Sequence, residues 1–321
     1  MRIVALLTIL LWPACLWAEY AATEILVIPW GDGPDELRIE EPYTDGIEIT
    51  PDSAADALFP SGGPHWGFVD VEENVYFISK DLHYLKGFHN NGKAFVDAAV
   101  DTSDYEASVI KYCPTRMFVD SAGFIYVFFI HGYPSIFNSN GDFVSILDPP
   151  GDEPYPHDIV SLDFYNFDEE LNIHSYKGDF IFQNGNFTKG GYRDWKASDG
   201  YYYWGNRYDT STFRFIKFKT YAYIDTYYVK VDRKIGVGAL MGIDLNDNYY
   251  MRYSESKDDF PLDILVLDRN FKEKDHFRLL PERDNMYLWN VHNATFLRGD
   301  GNVYQFLCED DGMHVIRWGK E

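Results

Sequence analysis

The chain has 321 residues, of which 46% are hydrophobic, 18% aromatic and 25% charged, a globular composition rather than that of a disordered tail or a fibre. Against 28 Lys plus Arg stand 51 Asp plus Glu, a formal charge of −23, which excludes a non-specific nucleic-acid binder and a partner of anionic lipid headgroups. Neutral, cationic or metal-bearing partners suit such a surface.

The first eighteen residues differ from the rest. Arg2 supplies a positive start, Ile3 to Leu11 is an almost unbroken apolar run, and Trp12-Pro13 breaks it before the small residue Ala18, which is the pattern of a secretory signal peptide. Cleavage after Ala18 leaves a mature domain of residues 19–321, secreted or periplasmic, with no membrane insertion. The alternative is a lipoprotein anchored through Cys15, which follows Ala14; Trp12 and Pro13 fit that site poorly. Processing after Ala18 leaves Cys113 and Cys308, which can pair or stay as buried thiols and have no metal-binding spacing.

Beyond the leader, short runs of Val, Ile, Tyr, Phe and Trp are punctuated by Gly, Asn and Asp, and helical periodicity is nearly absent: the chain is all-β. Glu24 to Pro29 is a β-rich segment without a hairpin partner beside it, and residues 30–63 form a connection rich in Gly, Pro, Asp and Glu. A first unit of four strands spans Phe68 to Asp97. Phe118-Val119-Asp120 repeats Phe68-Val69-Asp70, and Phe137-Asn138-Ser139-Asn140-Gly141 repeats Phe88-His89-Asn90-Asn91-Gly92. Further copies begin at Ile243 and Gly299, with weaker ones at Asp168 and Ser198, making six units.

With Tyr76, Tyr126, Ile173, Tyr202, Tyr250 and Tyr304 as equivalents, the intervals are 50, 47, 29, 48 and 54 residues. Units of 40 to 50 residues with four strands each predict the blades of a β-propeller. The short interval implies a shortened third blade, with a five-bladed count as the alternative. Met313 to Trp318 leaves the last blade one strand short, so Glu24 to Pro29 is expected to pair beside it and close a six-bladed ring.

An apolar strand ending in Val-Asp, a Gly or Asn turn, an Asn-Val-Tyr-type strand and then Phe-x-x-Asn-Gly resembles the six-bladed propellers of the NHL-repeat type, over nearly the whole mature chain. That resemblance implies the fold and leaves activity open, because the superfamily includes binding platforms as well as lyases and lactonases. In a blade of this kind the innermost strand crosses the disc, and the EEN, AG, DG and DN turns lie on the far face.

On the opposite, top face fall His65, His157 and His292, each just before an innermost strand, with His83, His131 and His174 in second-to-third strand loops and Arg116 and Arg193 leading into two further innermost strands. Converging imidazoles there could hold a divalent metal, zinc or calcium, as zinc is held by histidines in some NHL-type lyases; the two arginines could bind a substrate carboxylate. The plain alternative is loop histidines without a metal and arginines in structural ion pairs, since no H-x-H or H-E-x-x-H spacing is present.

Other motifs read as ordinary turns. Asp244, Asn246, Asn248 and Glu255 fit EF-hand positions, but Tyr249 stands where the loop requires Gly. Arg298-Gly299-Asp300 falls in the repeat's turn, and Asn186 and Asn293 open glycosylation sequons. Tyr201 to Trp204 and Tyr221, Tyr223, Tyr227 and Tyr228 form an aromatic fourth unit, half of which should pack between blades and half face outward. The expected function is an exported platform that binds a protein, peptide or glycan on the top face without catalysis. The alternative is a metal-dependent propeller lyase or lactonase acting on a small anionic substrate at the channel mouth.

Overall fold

The computed structural model describes residues 20–38, 64–79, 84–100, 114–129, 134–147, 159–165, 170–175, 178–183, 186–189, 195–219, 222–256, 263–281 and 295–320. Among these, every regular element is a strand, paired antiparallel with its neighbours. The first, β1 (Tyr20–Pro29), pairs with the last. Then β2 (Pro64–Val69), β3 (Val75–Ser79), β4 (Tyr84–Phe88) and β5 (Ala94–Ala99) form one sheet in chain order. So do β6 (Pro114–Val119), β7 (Ile125–Phe129), β8 (Ser135–Phe137) and β9 (Phe143–Ile146), and likewise β10 (Ile159–Tyr165), β11 (Glu170–Ser175), β12 (Gly178–Gln183) and β13 (Asn186–Lys189).

The next two runs are β14 (Trp195–Lys196), β15 (Tyr202–Arg207), β16 (Thr212–Lys219) and β17 (Ala222–Lys230), and β18 (Val237–Ile243), β19 (Tyr249–Ser254), β20 (Asp263–Leu267) and β21 (Glu273–Arg278). A single pair, Asn206 with Ala239, joins them into one eight-stranded sheet. Last come β22 (Thr295–Leu297), β23 (Val303–Glu309) and β24 (Gly312–Lys320), with β1 alongside β24 from Tyr20 opposite Lys320 to Pro29 opposite Gly312. Thus Glu24 to Pro29 supplies the outer strand beside Met313 to Trp318, covering an edge that would otherwise expose unpaired amides and carbonyls.

Tight turns set these hairpins. Asp70 Oδ1 accepts hydrogen bonds from the amides of Glu72 and Asn74, both at 2.9 Å, while Oδ2 accepts from Asn74 Nδ2 and from Tyr76 Oη at 3.0 Å. Asp120 repeats the pattern with Ala122, Phe124 and Tyr126, and Asp244 with Asn246, Asn248 and Tyr250. The residue three beyond the aspartate turns left-handed, which Gly123 (φ 82°) does freely and which Glu73 (φ 62°) and Asp247 (φ 58°) do under strain. The EF-hand-like spacing at Asp244 is therefore a hairpin in which the carboxylate is consumed by its own turn.

Registers correct two of the repeat equivalences. Tyr76 faces Phe68 and Tyr304 faces Phe296; the residues at that place in the third and fourth sheets are Leu171, facing Phe164, and Tyr203, facing Trp195. Ile173 and Tyr202 are two residues late and one residue early. Period-2 alternation tells which face a residue takes but not which partner it meets.

The core lies between sheets. One buried cluster, with Phe68, Tyr76, Phe118 and Tyr126, fills the space between the β2–β5 and β6–β9 sheets; a second, with Leu26, Ile28, Phe77, Phe306 and Val315, joins β2–β5 to the β22–β24 sheet and β1. A third lies between the two halves of the eight-stranded sheet, and a fourth, with Tyr250, Val266, Leu297 and Trp318, lies between β18–β21 and β22–β24. Phe182 of β12 packs against the first cluster, 6.0 Å from the Tyr126 ring, so β10–β13 adjoins β6–β9. The result is an all-β series of four-stranded units packed face to face. Lys86, 1% exposed, donates to the Gly33 carbonyl and pairs with Asp97, which fastens the segment after β1 onto β4 and β5.

Candidate functional site

The four strands β2, β6, β18 and β22 each open a four-stranded unit in chain order, and the turns that follow them meet. Phe68, Val69, Asp70 and Val71, Phe118 to Ser121, Leu245, and Phe296 with Arg298, Gly299 and Asp300 line one cavity of about 330 Å³. This size lies at the lower end of small-ligand sites. Val71 and Leu245 are its most exposed apolar residues, and beneath them Phe68, itself buried, meets Phe118 edge-on at 5.7 Å between centroids and Phe296 at 4.8 Å. The starts of the same strands lie at their opposite ends.

Carboxylates and one guanidinium form the cavity rim. Arg298 occupies the turn position that Asp70, Asp120 and Asp244 hold elsewhere, as its amide bond to the Asn302 carbonyl shows. Its Nη1 donates to the Asp70 carbonyl at 2.9 Å, its Nε and Nη2 engage Asp300, and it lies over the Tyr304 ring at 5.3 Å. Burial alone would raise the Asp300 carboxyl, but Arg298 and the Asn302 amide hold it below the usual range. Tyr304, deprived of an aspartate partner in its own turn, donates instead to Glu73 of the β2–β3 turn, which also pairs with Arg317 at 2.8 Å. The Arg-Gly-Asp sequence is thus spent on internal bonds.

At the strand-start end, Arg252 of β19 is buried and donates to the Thr295 hydroxyl at 2.7 Å, where β22 begins. Burial pushes this guanidinium down to about 10. Nothing in the sequence marked Arg252, which sits in an ordinary strand run.

His65 lies in β2 as the extra residue of a bulge between Pro64 and Trp66; Arg116 lies in β6 opposite Phe128, directly after the equivalent bulge. Their side chains are outside the described residues, as is that of His174 in β11. His157, His292, Arg193, His83 and His131 lie wholly outside them, and so do Cys15, Cys113 and the leader. Among the described residues, no group of three His, Cys, Asp or Glu side chains is placed to hold a metal ion. In the aromatic fourth unit Tyr202 and Tyr203 are both buried, whereas Trp204, Tyr208, Tyr223 and Tyr228 are exposed, with Arg214 stacked on Trp204 at 5.2 Å.

No family model matches the chain, and no curated protein matches it in sequence. Its structure is similar to that of a streptogramin B lyase, at 10% identity over 95% of this chain and 99% of that one, with a TM-score of 0.45. It is also similar to virginiamycin B lyase from Staphylococcus aureus (11% identity, 79% of this chain, 83% of that one, TM-score 0.42) and to a luciferin-regenerating enzyme (12%, 79%, 90%, 0.44). At such identities the likeness concerns a β-propeller-like arrangement of strands and assigns no residue or substrate. All three are enzymes by name, which runs against the expectation of a binding platform without catalysis, while at these TM-scores their names assign no activity to this chain.

Proposed function

We propose that the chain is an exported, six-bladed propeller enzyme of NHL-repeat type, a metal-dependent lyase or lactonase acting on a small anionic substrate at the end of the channel where the innermost strands start. The observation that carries this reading is the shared cavity: the strands that open four units end at one place, which supports a common mouth where they start. In sequence, His65 and Arg116 stand near the starts of β2 and β6, while His157, Arg193 and His292 precede β10, β14 and β22 by two, two and three residues. Bulges at the starts of β2 and β6 support it further, since such irregularities re-aim side chains beside functional sites.

Three imidazoles suit zinc better than calcium, which takes oxygen ligands. His65, His157 and His292 would hold the ion, which when bound would act as a Lewis acid towards a substrate carbonyl. Arg116 and Arg193 would bind and orient the anionic group by paired hydrogen bonds. Arg252, fixed on Thr295, adds a positive charge behind them. The six-bladed ring would close through β1, with β10–β13 between β6–β9 and β14–β17.

Metal analysis of the purified mature protein, together with assays on a panel of lactones and eliminable esters, tests the reading. Stoichiometric zinc and a turnover that both vanish in the His65→Ala, His157→Ala, His292→Ala triple variant, with the melting curve unchanged, are expected. Full turnover in that variant, or in metal-free protein, would overturn it. N-terminal sequencing of the exported form should begin at Glu19; a lipidated Cys15 would refute soluble export.

A further inference from the structure

We propose that β17, the outer edge of the fourth unit, is a docking site for an acidic, extended segment of a partner protein, which adds to the sheet as a further strand. From Thr212 to Lys234 the β16–β17 hairpin and the loop after it carry Arg214, Lys217, Lys219, Lys230, Arg233 and Lys234 against Asp225 and Asp232, six cations and two acids in a chain of net charge −23. Among the described residues β17 ends its sheet, with no strand paired on its far side. The other outer strands are short or guarded. β9 and β13 have four residues each, β1 carries a bulge and ends in Pro29, and the Gly141 turn lies against Val96 and Ala98 of β5. On β21, Glu273 and Asp275 are paired with Arg233 and Lys320. β17 has nine residues, and its Tyr223, Ile224 and Tyr228 are exposed.

The backbone fixes which groups are on offer. The Val231 amide turns inward to the Ser211 carbonyl, whereas the Thr226 amide donates to Asp225 Oδ1 at 2.8 Å and so turns outward. Along an antiparallel strand the direction alternates, and both groups of one residue point the same way, so Thr226, Tyr228 and Lys230 present amide and carbonyl at the open edge. An incoming strand displaces only the Asp225 carboxylate. Beyond the end of β17, Thr210, Ser211, Lys230, Arg233 and Lys234 line a hollow of about 450 Å³ that also contains Asp232. Arg233 is held by Glu273, but Lys230 and Lys234 are exposed and have no acidic partner among the described residues. Two β17 edges laid together would crowd these cations, whereas an acidic segment is drawn to them. Main-chain bonds then supply affinity and the cations select acidity. Tyr228, with Arg214 opposite it and Trp204 stacked on that arginine at 5.2 Å, gives alternate side chains of the segment a flat apolar bed. This edge belongs to the outermost strand of its unit, not to the strand starts proposed for the anionic substrate.

Calorimetric titration of the full mature protein with two capped peptides of about eight residues, one alternating valine with glutamate and the other valine with lysine, tests the proposal. The glutamate peptide should bind roughly tenfold more tightly than the lysine peptide, and added salt should narrow the gap. Bound peptide should slow exchange of the Thr226, Tyr228 and Lys230 amides and leave those of β21 unchanged. Thr226→Pro removes one outward donor at an edge position that tolerates proline, and should abolish binding with the melting curve unchanged. The double variant Lys230→Glu, Lys234→Glu, at two exposed positions, should reverse the preference between the peptides. Equal affinity for the two peptides, no binding of the glutamate peptide at about 1 mM, or binding that leaves the three edge amides unprotected overturns the proposal. So does a dimer in light scattering that Thr226→Pro dissociates, which would give the edge to a second copy of the chain.

Discussion

The turns after β18 and β22 share one hairpin geometry and solve it by opposite means. At Asp244, 2% exposed, a single carboxylate gathers two amides, one carboxamide and one tyrosine hydroxyl from its own hairpin. At Arg298 the carboxylate has moved two residues on to Asp300, and both the arginine and Tyr304 reach across to the turn of β2 and β3. The first turn satisfies its carboxylate within its own hairpin, while its Leu245 amide and Tyr250 hydroxyl donate to the Gly299 and Gly301 carbonyls of the next unit. The second depends on its neighbour and ties the last unit of the chain to the first. A repeat protein can therefore convert a local device into a fastening between units by moving one acid and placing a cation where the acid stood.

The largest effect should come from Asp244→Ala. It leaves Tyr250 Oη and Asn248 Nδ2 buried with a shared partner removed, and should cost about 3 kcal/mol by chemical denaturation. Asp120→Ala, whose two amide bonds are exposed, should cost about 1 kcal/mol. Equal costs would contradict the view that burial sets the value of this device.

Next in size is Phe271→Gly. Phe271 holds a left-handed turn (φ 59°) where glycine would be unstrained, yet its ring lies 4.7 Å from Phe215 and 4.8 Å from Tyr249. Losing that packing should outweigh the relief of strain, for a net loss of about 2 kcal/mol. A stabilised variant would show that turn geometry dominates packing here.

Arg298→Ala should cost only about 1 kcal/mol, because the Asp300 pair is partly solvated. Its signature should be local: amides of the β2–β3 turn should exchange faster, whereas in Asp120→Ala they should not. Uniform exchange across the protein would sink the cross-unit fastening.

The smallest effect is a pH dependence at the β1–β24 pairing. Burial tends to lower the His314 imidazole, but bonds to Glu24 of β1 and to Asp311 outweigh it and raise the value. A raised value means that the contribution is present below the unfolded histidine range near 6.5 and is lost as pH rises through the folded value. Melting temperature should fall slightly as pH rises above about 6.5 on that account, and His314→Gln should flatten the slope. An unchanged slope would remove His314 from the account.

Strand order, the Val-Asp turns and the role of Glu24 to Pro29 were legible because each rests on local chemistry: turn residues at fixed offsets, β-branched runs, and a segment with no hairpin partner. Tyr202 and Ile173 were misplaced because hydrogen-bonded register is decided by the partner strand. The cross-unit bonds of Arg298 and Glu73, separated by more than 200 residues, leave no periodic trace, nor do the buried Lys86 and Arg252 in strands of ordinary composition. Of the candidate site, sequence offers the order of His65, Arg116, His157, Arg193 and His292 along the chain. It missed the cavity where the turns meet, since Phe68, Phe118 and Phe296 each read as a routine core residue of its own unit.

The partnership of β1 with β24 also orders events in time. Glu24 and His314 are 290 residues apart, so the run Ile25 to Ile28 emerges early and waits for the end of the chain before its partner exists. At roughly 5–20 residues per second that wait lasts about 15–60 s, long beside the microseconds in which a hairpin forms. During it, an apolar strand with open amides is available to any other chain. Synthesis, rather than the finished molecule, is where this protein is most exposed to mispairing, and a holding partner for its first strand would matter most then.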